Sequence, residues 1–136
     1  MKKQLVNLLY ENNSKEDGIN IIIPIEQYVE KIISHSTIIP YYVNGNLKGV
    51  ISYYNNDEAK EHSFLTLILI SKDFQGKGLG KLLLQMSIND LKNKGFAYYS
   101  LEVLKSNEKA IRLYANNGFQ NKQDRGELWL MEKKLI

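Results

Sequence analysis

Apolar residues recur along this chain with two different periods, and the alternation between them predicts the order of its elements. Leu5, Leu8 and Leu9 stand at i, i+3 and i+4, the spacing of one helix face, and predict a short helix ending near Asn12-Asn13. After a polar loop, Pro24 is placed to open a second helix at its first position, where a missing N–H is harmless. Ile25, Tyr28, Val29, Ile32 and Ile33 form its apolar stripe. Residues 38–43 and 47–54 are rich in β-branched and aromatic side chains and flank Asn44-Gly45-Asn46, whose Asn-Gly step accepts the positive φ of a tight hairpin. Residues 63–70 are apolar at consecutive positions, as in a strand covered on both faces at the centre of a sheet.

A glycine-rich turn then leads into a helix over residues 79–94, with Lys92 and Lys94 near the negative end of its dipole and Gly95 just past its end. Leu79, Leu82, Leu83 and Met86 line one face, and Leu84, Ile88 and Leu91 widen it, which predicts a helix buried under more than one layer. Residues 97–104 read as a strand, completing a β-α-β unit with a right-handed crossover. Asn107 caps a further helix, Glu108 sits in its first turn, and Gly118 ends it. Residues 119–122 and 127–135 form a strand pair around Gln123-Asp124-Arg125-Gly126, a hairpin-loop composition. The order ααβββαβαββ predicts a mixed sheet with helices on both faces.

Composition narrows the class. A chain of 136 residues, 43% apolar and 24% charged, is one domain's worth and buries roughly two-thirds of its unfolded surface. Eighteen Lys and Arg against fifteen Asp and Glu leave +3, too small and dispersed for a nucleic-acid partner and better suited to a small anionic ligand. Absence of cysteine excludes a disulfide framework, a thiolate nucleophile and a Cys-based zinc site, and two isolated histidines make no metal site. The longest apolar run, Leu67 to Ile70, is far short of the ~20 residues of a membrane span. Polar Asn7, Glu11, Asn12 and Asn13 interrupt the signal-like start Met1-Lys2-Lys3, so a cytoplasmic protein is expected.

Candidate chemistry concentrates at Gln75-Gly76-Lys77-Gly78-Leu79-Gly80-Lys81, between the buried strand and a helix start. Glycines let backbone pass close to a bulky anion, and the unpaired N–H groups of the first helical turn point at it with the positive end of the helix dipole behind them. Lys77 and Lys81 add positive charge, which suits a pyrophosphate. The plainer alternative is a tight strand-to-helix turn with no ligand. Two rival motifs fail on spacing. A P-loop would need Ser or Thr after Gly80-Lys81, where Leu82 stands, and glycine at Gln75. A dinucleotide fingerprint would need glycine at Lys81 or Leu83.

Gln75, Gly78 and Gly80 meet in full the Q/R-x-x-G-x-G/A signature of the GNAT superfamily of N-acetyltransferases, which this sequence resembles. Asn107, Ala110, Leu113-Tyr114 and Gly118-Phe119 resemble the superfamily's second cofactor segment, N-x-x-A-x-x-L-Y followed by G-F. The resemblance runs from about residue 38 to 119 and is closest from Leu67 onward, where the chain looks like the bacterial enzymes that acetylate ribosomal-protein N-termini. It implies an α/β (α+β) fold over residues 1–136 with a mostly antiparallel sheet of six to seven strands. It also implies acetyl-CoA as cosubstrate, with Ile68, Leu69 and Ile70 along pantetheine, residues 75–81 on the pyrophosphate, and an amine acceptor met by the loops at 14–20 and 123–126.

Helical geometry supports the second segment independently, because Asn107, Ala110 and Tyr114 share one face at ~100° per residue, whereas Ile111 and Leu113 point elsewhere and read as core. Tyr114 is then placed to give a proton to a departing thiolate, the alternative being a half-buried structural tyrosine. Glu102 lies between Leu101 and Val103 and faces opposite to them. Its counterpart in the bacterial relatives is the proposed general base, which the resemblance carries to Glu102, the alternative being a solvated carboxylate. His35 and His62 read as surface residues and Trp129 as core. Competing functions are a CoA-binding regulatory module without turnover and a basic nucleic-acid domain, the latter disfavoured by the lack of a basic stripe. Expected partners are acetyl-CoA and an amine acceptor, with no metal, membrane or nucleic acid, in a monomer or homodimer.

Overall fold

The computed structural model describes residues 1–12 and 24–136. The expected polar loop after the first helix, including the predicted acceptor loop at 14–20, lies outside them. Helices α1 (Lys2–Asn12) and α2 (Ile25–His35) precede strands β1 (Thr37–Val43), β2 (Asn46–Tyr54) and β3 (His62–Ile70). Then come α3 (Leu79–Asn93), β4 (Tyr98–Leu104), α4 (Glu108–Asn116), β5 (Gln120–Arg125) and β6 (Leu128–Lys134). This is the predicted order. The six strands form one sheet, β1-β2-β3-β4-β6-β5, parallel only between β3 and β4. Asn44 and Gly45 both take positive φ (51° and 80°), closing the β1–β2 hairpin in two residues, as the Asn-Gly step predicts.

Helices cover both faces. Leu5, Leu8 and Leu9 of α1 and Ile25, Val29 and Ile32 of α2 pack on Val50, Leu67 and Leu69. On the other face α3 and Tyr114 of α4 pack on Ile51, Tyr53, Leu65, Tyr99 and Leu101. A bulge in β3 decides which residues go where: Ser52 pairs with Leu67 but Tyr53 with Leu65, leaving Thr66 extra. Side-chain alternation therefore reverses at Thr66, sending Leu65 to one core and Leu67 to the other. β3 and β4 pair only at His62–Tyr98, Ser63–Tyr99 and Phe64–Ser100, then part. Beyond Phe64, the edge of β3 that faces β4 has no strand partner among the described residues.

Several expectations need correction. Leu82 and Met86 are exposed (45% and 42%), and the buried arc of α3 runs through Leu79, Leu83, Leu84, Ser87, Ile88 and Leu91. That arc is rotated by roughly 100° from the predicted stripe of Leu79, Leu82, Leu83 and Met86, because α3 meets one sheet face and among the described residues no second layer covers it. Ser87 sits at its centre because its hydroxyl is satisfied, donating to the Leu84 carbonyl and accepting from Tyr99. Pro24 is the N-cap of α2 rather than its first helical residue, its carbonyl accepting the Tyr28 N–H, and Ile33 is exposed. Gln123, Asp124 and Arg125 belong to β5, leaving Gly126-Glu127 as the turn, while Phe119 packs in the core before β5 begins. Trp129 is half-buried against the core with the Lys105 ammonium 4.4 Å above its ring.

Candidate functional site

The parting of β3 and β4 opens a cleft of about 460 Å³ on the α3–α4 side of the sheet. Its floor is Ile68, Leu69 and Ile70 on the unpartnered edge of β3. One wall is the loop after β3. A single 3-10 turn, Lys72–Phe74, leads to Gln75, and then Gly76 (φ 77°) and Gly78 (φ 82°) take left-handed conformations that favour glycine. Gly78 is the N-cap of α3 and, being glycine, supplies no side chain to the first-turn N–H groups. Leu79, Gly80 and Lys81 of that turn line the cleft. A Cβ at Gly80 would stand 3.7 Å from Leu113 Cδ2 and 4.0 Å from Ile70 Cγ1, narrowing the space between α3 and α4. Gly49 on β2 has a supporting part, since a Cβ there would come within 2.8 Å of Leu79 Cδ2 and push α3 away.

The opposite wall is α4. Asn107 caps it, its Oδ1 accepting the Ala110 N–H at 3.2 Å, so this side chain both orders the helix and lines the cleft. Ala110 and Tyr114 follow on the same face, as their spacing predicts. Leu113, expected to point elsewhere, lines the cleft as well as packing on the core, because α4 approaches the glycine of α3 closely. Tyr114 is 6% exposed, with its ring edge-on to Phe119. Among the described residues no hydrogen bond engages its hydroxyl, and burial pushes its phenol well above the usual tyrosine value.

Charge in the cleft has one sign. Lys81 and Lys109 line it, and among the described lining residues there is no carboxylate. Lys77 is not in the lining; its ammonium stands 4.8 Å over the ring of Phe74, which is. Glu102 is also outside the lining. It lies opposite the buried Leu101 and Val103, as expected, and its carboxylate meets the Arg125 guanidinium at 3.3 Å on the other face of the sheet.

Three lining residues escaped the sequence reading: Asn12, Phe74 and Lys109. Asn12 ends α1 and is 2% exposed; it donates to the Leu8 carbonyl and accepts from Gln75 Nε2 at 3.3 Å, while Gln75 also donates to the Ile70 carbonyl at 3.1 Å. Nothing in the helix pattern marks it, because its partner lies 63 positions away. Phe74 and Lys109 stand directly beside motif positions, and that adjacency was the available signal. His35 and His62 are exposed, the latter stacked on Tyr98. Among the described residues there is no group of three His, Cys, Asp or Glu able to hold a metal, and no helix long and apolar enough to cross a membrane.

Comparison with known proteins identifies the chain's family. The [ribosomal protein bS18]-alanine N-acetyltransferase of Salmonella typhimurium is 44% identical over 52 residues, 38% of this chain and 35% of that enzyme. A Bacillus subtilis subsp. natto protein named as a probable spermine N(1)-acetyltransferase is 37% identical over 86 residues, 58% of this chain and 56% of its own. The matched part thus spans about a third to a half of these relatives. In fold, the chain superposes on the PaiA N-acetyltransferase of Thermoplasma acidophilum, solved in complex with coenzyme A, with a TM-score of 0.79 at 21% identity, covering 98% of this chain and 92% of that one. Residues 4–119 match the Acetyltransferase (GNAT) family, and the chain belongs to that family.

Proposed function

We propose that this protein, acting as one acetyltransferase domain, transfers an acetyl group from acetyl-CoA to an amine by direct attack within a ternary complex. The observation that carries this reading is the cleft itself, lined by a helix N-terminus with no side-chain cap, two lysines, an unpartnered strand edge and Tyr114. The chemistry of these groups fits coenzyme A. First-turn N–H groups of α3 with Lys81 and Lys109 suit a pyrophosphate. The free edge of β3 at Ile68, Leu69 and Ile70 offers backbone partners to the amides of pantetheine, and glycine at 80 leaves room for them. Acetyl-CoA supplies the activated acyl carbon.

The remaining work falls to the protein. Holding donor and acceptor together supplies much of the rate by orientation. An alkyl ammonium with a pKa near ~10 must lose a proton before its nitrogen forms the new C–N bond, and Glu102 is the proposed acceptor of that proton. As the C–S bond breaks, Tyr114 donates its hydrogen to the charge building on sulfur. Backbone N–H groups of Leu69 and Ile70, on the edge freed by the parting of β3 and β4, are the proposed donors to the carbonyl oxygen. The relatives whose names specify an amine, an alanine N-terminus or spermine, agree with nitrogen as the acceptor atom. A cytoplasmic monomer or homodimer without metal is the setting proposed for this chemistry. The test measures CoA thiol release over a panel containing a polyamine, an alanine-initiated peptide, lysine and an amino sugar, beside calorimetric binding of acetyl-CoA. Release dependent on one of these amines is expected. Tight acetyl-CoA binding with no release on any of them would identify a CoA-binding module instead.

A further inference from the structure

A second concavity of about 470 Å³ lies on the other face of the sheet, and among the described residues α1 and α2 pack on β2 and β3 beside it rather than over it. Phe64 and Ser100, the last residues paired before β3 and β4 part, both line it. Glu102 stands two residues further along β4, on the same face as Ser100, where the strands have separated. This groove and the cleft therefore approach the same gap in the sheet from opposite sides.

Tyr54, Phe64 and Leu130 give the groove an apolar and aromatic wall, and Asn56, His62, Ser63 and Ser100 a polar one. Its charge is opposite in sign to that of the cleft. Arg125 lines it, but its guanidinium is engaged by Glu102. Asp57 and Glu132 also line it, and among the described residues neither has a cationic side-chain partner in a salt bridge. Asp57 is held by the backbone N–H groups of Ala59, Glu61 and His62, and among the described residues Glu132 accepts only from Ser100 Oγ, at 3.1 Å. Lys134 shares the sheet face beyond Glu132 but is exposed and outside the lining. His62 also lines the groove beside Asp57, but no ion pair among the described residues engages either carboxylate; in a chain of net charge +3, a pocket with an aliphatic and aromatic wall and two such carboxylates suits a cation with an apolar body.

Strand register gives the spacing. Glu102 is opposite Leu130 and Ser100 opposite Glu132, so the two glutamates are diagonal neighbours on one face of adjacent strands, about 7–8 Å apart. That is the scale on which a short diaminoalkane separates its nitrogens.

We infer that the acceptor is a short aliphatic diamine or polyamine, one nitrogen presented beside Glu102 at the parted strands and the next held in the groove by Glu132 with Asp57. This rests on the acetyl-transfer reading above. The test compares kcat/KM for 1,4-diaminobutane, 1-aminobutane and an alanine-initiated peptide at saturating acetyl-CoA. The diamine is expected to exceed the monoamine by about tenfold or more, the lower end of what one charge-assisted hydrogen bond contributes. That ratio should fall towards one in Glu132→Gln, whose folding is checked by melting temperature, and in wild type as salt screens the second ammonium. Should Glu132→Gln not fold, the wild-type salt dependence decides alone. A wild-type ratio near one, a ratio unmoved by either perturbation, or a preference for the peptide would overturn the inference. Turnover of the peptide alone removes this inference and leaves acetyl transfer standing, whereas acetyl-CoA binding without turnover of any amine removes both.

Discussion

Replacing Tyr114 by Phe tests the centre of the proposed mechanism, because the substitution removes one oxygen and nothing else. The ring keeps its edge-on packing against Phe119 and its place in the core. No hydrogen bond among the described residues is lost, so the melting temperature should not move, whereas a structural hydroxyl would cost about 1 kcal/mol. The size of the kinetic effect follows from the site. A thiol titrates near ~8.5 and a phenol near ~10, and burial lifts the Tyr114 phenol further. Complete proton transfer to the departing thiolate is therefore uphill, and the hydroxyl acts chiefly as a donor to charge growing on sulfur. A hydrogen bond to a charged partner contributes about 1.5–3 kcal/mol, which converts to a loss of roughly 10- to 150-fold in kcat. This lies mostly below the ~10²–10⁴ of full general-acid catalysis and meets only its lower limit. Melting temperature, acetyl-CoA affinity by calorimetry and kcat from CoA thiol release should be measured on one preparation. A kcat within about threefold of wild type, with affinity intact, would refute the reasoning and leave water or the acceptor to protonate sulfur.

Gly80→Val should leave a stable protein whose acetyl-CoA affinity falls by about tenfold or more, since the added carbons fill the gap to Leu113 and Ile70 without a backbone penalty. Gly78→Val, at φ 82°, should also lose about 1–2 kcal/mol of stability by chemical denaturation, and equal stability of the two variants would contradict the assigned conformations. Lys81→Ala should weaken acetyl-CoA binding about two- to fivefold at low salt and less at high salt, and Lys77→Ala, over Phe74 and outside the lining, should do less. Calorimetry at two ionic strengths decides this. Glu102→Gln should lower turnover most at neutral pH, with the deficit narrowing as free amine accumulates; a profile merely displaced in parallel would assign Glu102 a positioning role. Burial raises the phenols of Tyr53, Tyr99 and Tyr114. Their folded forms therefore hold protons that the unfolded chain releases above about pH 10, so stability should be undiminished by them below that pH and fall as pH rises beyond it. A melting temperature flat from pH 9 to pH 12 would refute this.

The local features of this protein were legible in its sequence, because each depends on neighbours within a few positions. The Asn44-Gly45 hairpin, the Asn107 cap and the positive-φ glycines before α3 follow from backbone chemistry that acts over one turn. The cleft could be anticipated for the same reason: residues 68–70, 75–81 and 107–114 belong to three of the four elements of one β-α-β-α run, and the helix spacing of Asn107, Ala110 and Tyr114 aims them together. What lay beyond reach depends on partners far along the chain. A helix apolar over so wide an arc cannot say which of its sides meets a sheet, so Leu82 and Met86 read as buried, whereas the sheet takes the side centred on Ser87. The bulge at Thr66 leaves the apolar run of β3 unchanged in composition while reversing which core each leucine enters. Asn12 reaches the cleft only through Gln75, and Glu102 meets Arg125 only because β5 folds back on β6. The parting of β3 from β4 after three residue pairs, on which both the cleft and the groove depend, is a property of two strands competing for different neighbours, and no single strand's sequence contains it.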